Sequence, residues 1–318
     1  MSEFRKIITK PGEIIDFETV FEENPYLRTG VPKKKGTIQR VDYTTDVYED
    51  GKTYSKYCYV YLPYGYDPEN KEKKYNVLYF QHGNTCAPDM FAIGGNKPMI
   101  DMLFDSGEID PCIMVSITYY FDPYFDGEKR VLVGRTPAGD GGWDDCVPNY
   151  YKEVVQDIIP AVETKFNTYL TDGSDEAIKA SRDHRCFCGY SRGCVNTWRE
   201  IHHNFEYFRW FSPMSCATRG DKRTNKEALT QEEVIAYVTD PIKAHPELPF
   251  FIYCTDGGPE DSADMKVQLK YLTHEPCFSY GTDPEKNNIY FSVSDYYHTD
   301  FLVPYYLWNS LKVIFKGV

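Results

Sequence analysis

The sequence predicts a single doubly wound α/β domain with a mostly parallel sheet that begins with an antiparallel hairpin. Three observations support this fold class. Short apolar runs alternate with helical patterns, an Asp-Gly turn joins two β-type runs near the N-terminus, and no internal repeat or long linker divides the 318 residues. Such alternation is typical of a parallel sheet covered by helices on both faces. A hydrophobic content of 42% is sufficient for the core of one such domain.

The N-terminal part of the chain differs from the rest. Residues 1–36 are mixed in composition and interrupted by prolines, which predicts a loop-like extension packed on the domain. The domain itself is expected to span residues 37–318. Two runs rich in β-branched and aromatic residues, 37–48 and 53–62, flank Asp50-Gly51 and predict a β-hairpin.

The core strands and helices follow from the periodicity of the remaining chain. Continuous apolar runs are typical of strands that are buried on both faces. These runs are 76–80, 113–118, 185–189, 210–214, 250–255 and 289–293. An apolar stripe at three- and four-residue spacing predicts a helix over 151–166, a weaker stripe predicts one over 265–272, and 301–315 reads as a closing helix. The polar stretch 215–247 interrupts the alternation and is predicted to be irregular, as a cap or lid insertion.

Charge and composition exclude several classes of partner. The net charge of −13 argues against nucleic acid, since phosphate binding needs clustered Lys and Arg. No apolar run is long enough to cross a membrane. The first residues lack the apolar core of a signal peptide, so a cytoplasmic protein is expected as the chain is written, and a secreted one if a leader precedes it. Five of the ten cysteines lie in apolar runs that are typical of strands, which predicts mostly free thiols.

The strongest motif is G-x-S-x-G, formed by residues 189–193, between the strand 185–189 and a helical stretch that begins near Val195. In a strand–turn–helix context the two glycines permit a sharp turn that lifts the serine out of the sheet. We therefore predict that Ser191 is a nucleophile. A serine hydroxyl needs a base to take its proton, and in this arrangement the order along the chain is serine, acid, histidine.

His298 is the predicted base, because it lies in the loop between the last strand and the last helix. His274 is expected at the surface, and His202 and His203 on the helix after Ser191, where they point away from its hydroxyl. The acid should follow the strand 250–255. Asp256, Glu260 and Asp261 all lie there, and Asp261 is also placed to cap the next helix.

The predicted oxyanion donors are the backbone amides of Arg192 and Asn84. Arg192 follows the nucleophile, and Asn84 follows Gly83 at the end of an early strand, where the glycine lets the chain turn. His82 lies beside that turn, where a structural hydrogen bond is expected of it.

Aromatic residues follow the strand 113–118 at the expected carboxyl edge of the sheet, where ligands bind in open α/β folds. Tyr119 and Tyr120 follow that strand directly, and Trp143 lies in a second loop, residues 139–145, that precedes a helix on the same side. All three are candidate substrate contacts, although in a chain with 28 tyrosines some tyrosines are expected near any site by chance. No metal site is expected, because the aspartates near Trp143 lack a full set of oxygen ligands.

Three segments resemble the esterase D and feruloyl esterase branch of the α/β-hydrolase superfamily. They are residues 77–84, residues 184–193 and the terminal His298-Thr299-Asp300-Phe301, and the similarity spans about residues 40–318. The resemblance implies an α/β-hydrolase fold and cofactor-free hydrolysis of hydroxycinnamate or acetate esters on plant cell-wall polysaccharide. It also implies that Asp261 is the triad acid, since residues 258–261 approximate the turn that carries the acid in that group.

Two features depart from the pattern of that branch. Arg192 and Cys194 stand where Met or Gln and a glycine are usual, and the aromatic residue after His-Asp is shifted to Phe301. These departures affect the expected substrate more than the expected chemistry. The favoured hypothesis is a feruloyl esterase that acts on polysaccharide or oligosaccharide. The alternatives are an acetyl xylan esterase or other carbohydrate deacetylase, and a non-catalytic carbohydrate-binding member of the fold.

Overall fold

The computed structural model of the chain describes residues 6–10, 13–16, 26–83, 96–120, 122–126, 129–133, 149–221, 229–257, 263–294 and 297–318. Its strands are β1 (Lys6–Lys10), β2 (Glu13–Asp16), β3 (Thr37–Thr45), β4 (Tyr54–Leu62), β5 (Val77–Gln81), β6 (Ile113–Ile117), β7 (Asp122–Asp126), β8 (Lys129–Val133), β9 (Arg185–Tyr190), β10 (Trp210–Met214), β11 (Phe251–Asp256) and β12 (Ile289–Val293).

The α-helices are α1 (Tyr26–Thr29), α2 (Asn96–Asp105), α3 (Tyr150–Glu153), α4 (Ile159–Glu163), α5 (Asp175–Ala180), α6 (Arg192–His203), α7 (Gln231–Ala244), α8 (Ala263–Leu272) and α9 (Val303–Leu311). Short 3₁₀ turns precede β9 and α9, at Arg182–His184 and Asp300–Leu302. Among the helices of the described residues, none has the length and apolar character needed to cross a bilayer.

The main sheet has eight strands in the order β12-β11-β10-β9-β5-β6-β4-β3. β5, β6 and β9 to β12 are parallel, whereas β3 and β4 form an antiparallel hairpin that joins the sheet through β6. The predicted fold class is confirmed. Every apolar run that was predicted as a core strand is one, to within a residue or two, because strands buried on both faces are marked by continuous apolar sequence.

The core lies on both faces of the sheet. In β9, Phe187 faces a cluster that includes Trp198 of α6, while Cys186 and Cys188 face a second cluster that includes Trp308 of α9. The cysteines predicted to be free and buried in strands are so, and all eight cysteines in the described part of the chain are free thiols. The helices on either face therefore bury side chains that alternate along each strand.

The helix predicted over 151–166 contains an irregularity. A π-turn, Val154–Ile158, separates α3 from α4. Pro160 lies in the first turn of α4 and lacks the N–H that an α-helical bond to Gln156 would need, so the wider turn accommodates it. The predicted stripe is still buried, with Val154, Ile158 and Val162 fully enclosed in the core.

Two expectations about connecting segments need correction. Residues 1–36 are not wholly loop-like, since β1 and β2 pair as an antiparallel hairpin and α1 packs against α2. Residues 231–244 of the stretch predicted to be irregular form α7, which packs between α6 and α8. Thr230 and Glu233 form a capping box at its start, a signal that was present in the sequence. The alternation of strands and helices therefore continues through this stretch, and a lid stays a prediction only for the residues before the helix.

Candidate active site

Ser191 lies in a sharp turn between β9 and α6. Its backbone adopts φ 55° and ψ −108°, a conformation that non-glycine residues rarely take. The surrounding structure holds it there, since its N–H donates to the carbonyl of Met214 on the neighbouring strand at 2.8 Å. This turn presents the serine side chain at the carboxyl edge of the parallel strands, as the motif predicted.

The two glycines of the motif are required by close backbone packing. A Cβ on Gly189 would lie 2.4 Å from the backbone of Gly193, and a Cβ on Gly193 would lie 2.2 Å from the carbonyl oxygen of Gln81. Neither neighbour is a flexible side chain that could move aside. The start of α6 can approach β9 and β5 this closely only because both positions lack a side chain.

His298 meets Ser191 from the loop after β12. Its Nε2 lies 2.9 Å from Ser191 Oγ, a hydrogen-bonding distance for proton transfer. The imidazole also stacks on the ring of Tyr190, with the ring centroids 4.9 Å apart. The structure thus brings together the predicted nucleophile and base, which are separated by 107 residues in the chain.

Of the three candidate acids, Asp256 lies within the described residues, as the last residue of β11. Its side chain is fully buried, and its Oδ1 accepts the N–H of Gly257 at 2.9 Å. Glu260 and Asp261 lie outside the described residues. The choice among the three therefore stays a prediction.

The turn after β5 passes beside Ser191. Gly83 packs so closely that an added Cβ would be 3.3 Å from Cβ of Ser191. The Gly83 carbonyl accepts a hydrogen bond from Nδ1 of His82 at 2.8 Å and another from the hydroxyl of Tyr119 at 3.1 Å. His82 is buried, and its Nε2 is paired with Oγ1 of Thr118 at 2.8 Å. The structural role expected of His82 is confirmed.

The other predicted site residues are placed as follows. Tyr119 and Tyr120 are buried, and both rings pack against His82. Their role as substrate contacts stays a prediction. Arg192 is the first residue of α6, next to the nucleophile. Asn84 and Trp143 lie outside the described residues.

Cys194, one of the positions that departs from the usual pattern, lies three residues after the nucleophile. Its thiol donates to the carbonyl of Cys216 at 2.9 Å, and burial raises its pKa well above the usual value for cysteine. A thiol in that state is not a nucleophile at neutral pH. Ser191 therefore has no competing nucleophile at Cys194.

Sequence reasoning missed the network that anchors Gly83. Thr118 and Tyr119 meet His82 only because β5 and β6 pair side by side. Thr118 is 36 residues from His82 in the chain, so no short-range sequence pattern links them. Their positions at the ends of two predicted parallel strands were the only available signal.

The eight-stranded, mostly parallel sheet, the strand–turn–helix around Ser191 and the histidine after the last strand together define the α/β-hydrolase class. The model of the family described as "Putative esterase" matches residues 56–244. The chain belongs to that esterase family, and its relatives identify the feruloyl esterase branch that the sequence motifs predicted.

Those relatives were found by sequence and by structure. Endo-1,4-beta-xylanase Y of Acetivibrio thermocellus is 30% identical over 80% of this chain, and a xylanase/feruloyl esterase of Xylanibacter ruminicola is 28% identical over 51% of it. The aligned parts amount to 21% and 19% of those longer proteins. This chain therefore spans about a fifth of the length of the curated relatives that it matches.

Two solved structures show how closely the fold is shared. A mutant of the feruloyl esterase module of Clostridium thermocellum, complexed with sinapinate, has a TM-score of 0.74 and 26% identity, covering 96% of this chain and 97% of that one. A ferulic acid esterase of the anaerobic fungus Anaeromyces mucronatus has a TM-score of 0.58 and 17% identity, covering 94% of this chain and 95% of that one. The second likeness concerns the fold alone.

Proposed function

We propose that this chain is a serine carboxylic-ester hydrolase that releases hydroxycinnamoyl groups, chiefly ferulate, from plant cell-wall polysaccharide or its oligosaccharides. The observation that carries the proposal is the 2.9 Å contact between His298 Nε2 and Ser191 Oγ, in a chain of the esterase family. The substrate class is supported by the feruloyl esterase module that was solved with sinapinate, a hydroxycinnamate.

The reaction runs in two halves through an acyl-enzyme. His298 Nε2 takes the proton of Ser191 Oγ while that oxygen attacks the ester carbonyl carbon and forms a tetrahedral intermediate. The ester C–O bond then breaks, and the leaving sugar hydroxyl receives the proton from His298. Water enters, gives a proton to His298 and attacks the acyl carbon. Collapse of the second intermediate releases ferulate and returns the proton to Ser191.

The oxyanion donors in this proposal are the amides of Arg192 and Asn84. Arg192 stands at the first position of α6, where its N–H is not needed for helical hydrogen bonding. The peptide that carries the second amide begins at Gly83, whose carbonyl is held by His82 and Tyr119. We propose that this anchor fixes the donor before substrate arrives, so that no reorganisation is needed during the reaction.

Asp261 is the proposed triad acid, in preference to Asp256 and Glu260. The position of Asp261 between β11 and α8 supports this, as does the hydrogen bond that already ties Asp256 Oδ1 to Gly257. The acid would hold the imidazole in the tautomer that accepts the serine proton and would stabilise the imidazolium.

The first experiment compares kcat/KM on methyl ferulate and on p-nitrophenyl acetate, for the intact chain and for Ser191→Ala. We expect a much higher value on methyl ferulate and a loss of about 10⁴-fold or more in the variant, since the nucleophile is removed. Activity on acetate alone would replace the feruloyl assignment with a deacetylase. Activity that survives in Ser191→Ala would overturn the nucleophile.

A second set of variants distinguishes the candidate acids. Asp261→Asn should lower kcat by about 10⁴-fold, because the histidine would lose the partner that sets its tautomer. Asp256→Asn and Glu260→Gln are the matched controls and should lose much less. A loss of that size in Asp256→Asn, with Asp261→Asn nearly intact, would transfer the role to Asp256.

The remaining expectations about partners and location stay predictions. A polysaccharide substrate lies outside the cell, which favours export with a leader or as a module of a larger protein. The alternative is a cytoplasmic enzyme that acts on imported oligosaccharide esters. Fractionation of producing cells distinguishes the two. Esterase activity that stays in the cytoplasmic fraction would contradict export.

A further inference from the structure

Two histidines and an aspartate meet at the end of α6 that is remote from Ser191. One ring nitrogen of His202, one of His203 and a carboxylate oxygen of Asp221 all lie within 4.8 Å of one another. The histidines are the last two residues of α6, and Asp221 belongs to the segment that follows β10. Two imidazole nitrogens and a carboxylate oxygen form a donor set that suits zinc.

One ring nitrogen of His202 is held by the backbone, which leaves the other as the possible ligand atom. Its Nδ1 lies 2.7 Å from the backbone carbonyl oxygen of Tyr237. Since a carbonyl oxygen only accepts, Nδ1 carries a proton, and Nε2 is the nitrogen that would bind an ion. Within the described part of the chain, that Nε2 has no hydrogen-bond partner. Metal-binding histidines typically donate their other ring N–H to a carbonyl or carboxylate in this way.

His203 and Asp221 lie slightly closer together than two ligands of one ion would. His203 Nε2 lies 2.9 Å from Asp221 Oδ1, whereas ligand atoms on a tetrahedral zinc ion are about 3.3 Å apart. An ion would replace this hydrogen bond, with the His203 proton on Nδ1. The hydroxyl of Tyr237 donates to the same Oδ1 at 2.8 Å and would orient the carboxylate.

Aromatic stacking fixes both imidazole rings in place. The ring of Tyr237 lies on that of His202, and the ring of Tyr151 lies on that of His203, each with centroids 3.9 Å apart. Ligands that are held before binding lose little conformational freedom when the ion arrives. The two imidazole rings are therefore held in place before an ion binds, and small shifts of the donors would bring them to ligand distance.

The charged groups around the cluster are compatible with a bound cation. Arg199 Nε lies 4.0 Å from Asp221 Oδ1 and donates to the carbonyl of Gly220 at 2.9 Å, so this guanidinium opposes a bound ion. The opposition is offset by the Asp221 carboxylate and by the net charge of −13.

We propose that His202, His203 and Asp221 bind one zinc-class divalent ion, with water as its fourth ligand. The ion joins the end of α6, the helix that begins directly after Ser191, to the segment that follows β10. Its role is to stabilise this junction, and it takes no part in ester hydrolysis. The proposal is independent of the proposed function.

The experiment uses the intact chain after treatment with EDTA and removal of the chelator. Isothermal titration with ZnCl₂ should give one site. At a free Zn²⁺ concentration about 100-fold above Kd, the melting temperature should rise by about 4 °C. Titration with Co²⁺ should give the intense visible absorption of a tetrahedral site with nitrogen and oxygen donors.

Three variants test the ligand set. Asp221→Asn and His202→Phe should each abolish the rise in melting temperature and the Co²⁺ absorption, while His202→Phe keeps a ring on Tyr237. His274→Ala, at an exposed histidine, should behave as the parent. Near-ultraviolet circular dichroism checks that each variant is folded. Binding that persists in both ligand variants, as it would at cysteine thiols, or no binding by the parent, would overturn the proposal.

Discussion

Single residues set the geometry of the candidate site through conformations that few side chains allow. Ser191 holds a positive φ that is strained for serine, and the glycines on either side of it leave no room for a Cβ. Because the serine and both glycines lie within five consecutive residues, the turn can be predicted from the sequence. The contacts that complete the site, by contrast, come from residues far along the chain, such as Tyr119 on the Gly83 carbonyl.

Tyr119→Phe tests the anchor of the turn that we propose to carry an oxyanion donor. We expect kcat on methyl ferulate to fall about five- to tenfold with KM nearly unchanged, since one hydrogen bond that positions the Gly83 peptide is lost. Steady-state kinetics measure both constants. Tyr64→Phe, at an exposed tyrosine, is the control and should have no effect. An increase in KM with kcat unchanged would instead indicate that Tyr119 contacts substrate.

At the scale of elements, the strand that leads to the nucleophile is anchored by a buried ion pair. Arg185, at the start of β9, binds Glu163, at the end of α4, through two hydrogen bonds of 2.6 and 2.8 Å. Both side chains are almost completely buried, and the hydroxyl of Tyr79 also donates to Glu163. This pair connects the helix before β9 with two central strands of the sheet.

Arg185→Met should lower the free energy of unfolding by about 3–5 kcal/mol, because it leaves the Glu163 carboxylate buried without its counter-ion. Urea denaturation measures the change. The double variant Arg185→Met/Glu163→Leu should recover much of the loss, since neither member of the pair is then left as an unpaired buried charge. A single variant as stable as the parent would contradict this account of how β9 is anchored.

At the scale of the whole molecule, stability depends on carboxylates enclosed between the sheet and its helices. Glu200 of α6 is buried and accepts a hydrogen bond from Asn204, and burial raises its pKa well above the usual value. A group whose pKa is raised in the folded state stabilises fully below its unfolded pKa, and that contribution is lost as pH rises through the folded pKa. Glu200 therefore lowers the stability of the fold toward neutral and alkaline pH.

Glu200→Gln should remove this dependence, because glutamine keeps the shape of the protonated acid and cannot ionise. The difference in melting temperature between variant and parent should be smallest near pH 4 and should favour the variant increasingly toward pH 8. Thermal denaturation across this range measures it, with Glu247→Gln, at an exposed glutamate, as the control. A difference that does not vary with pH would contradict the raised pKa.

Much of this architecture could be predicted from local patterns. The β3–β4 hairpin, the six core strands and the nucleophile turn were all placed to within a few residues, because alternation, apolar runs and glycine spacing are short-range signals. α7 was missed because its many polar residues obscured the helical spacing of its apolar ones, although its capping box could be recognised in the sequence. α2 and α5 were also missed, and α5 is only six residues long.

The sequence by itself determined the fold class, the turn that carries Ser191 and the choice of His298, since each depends on the order of strands and helices along the chain. The tertiary structure alone decided what surrounds them. It set the 2.9 Å contact between His298 and Ser191, the support of Gly83 by His82 and Tyr119, and the meeting of the α6 histidines with Asp221. The physical reason is that parallel strands bring the ends of distant segments to one edge, and their separation in sequence carries no signal of that contact.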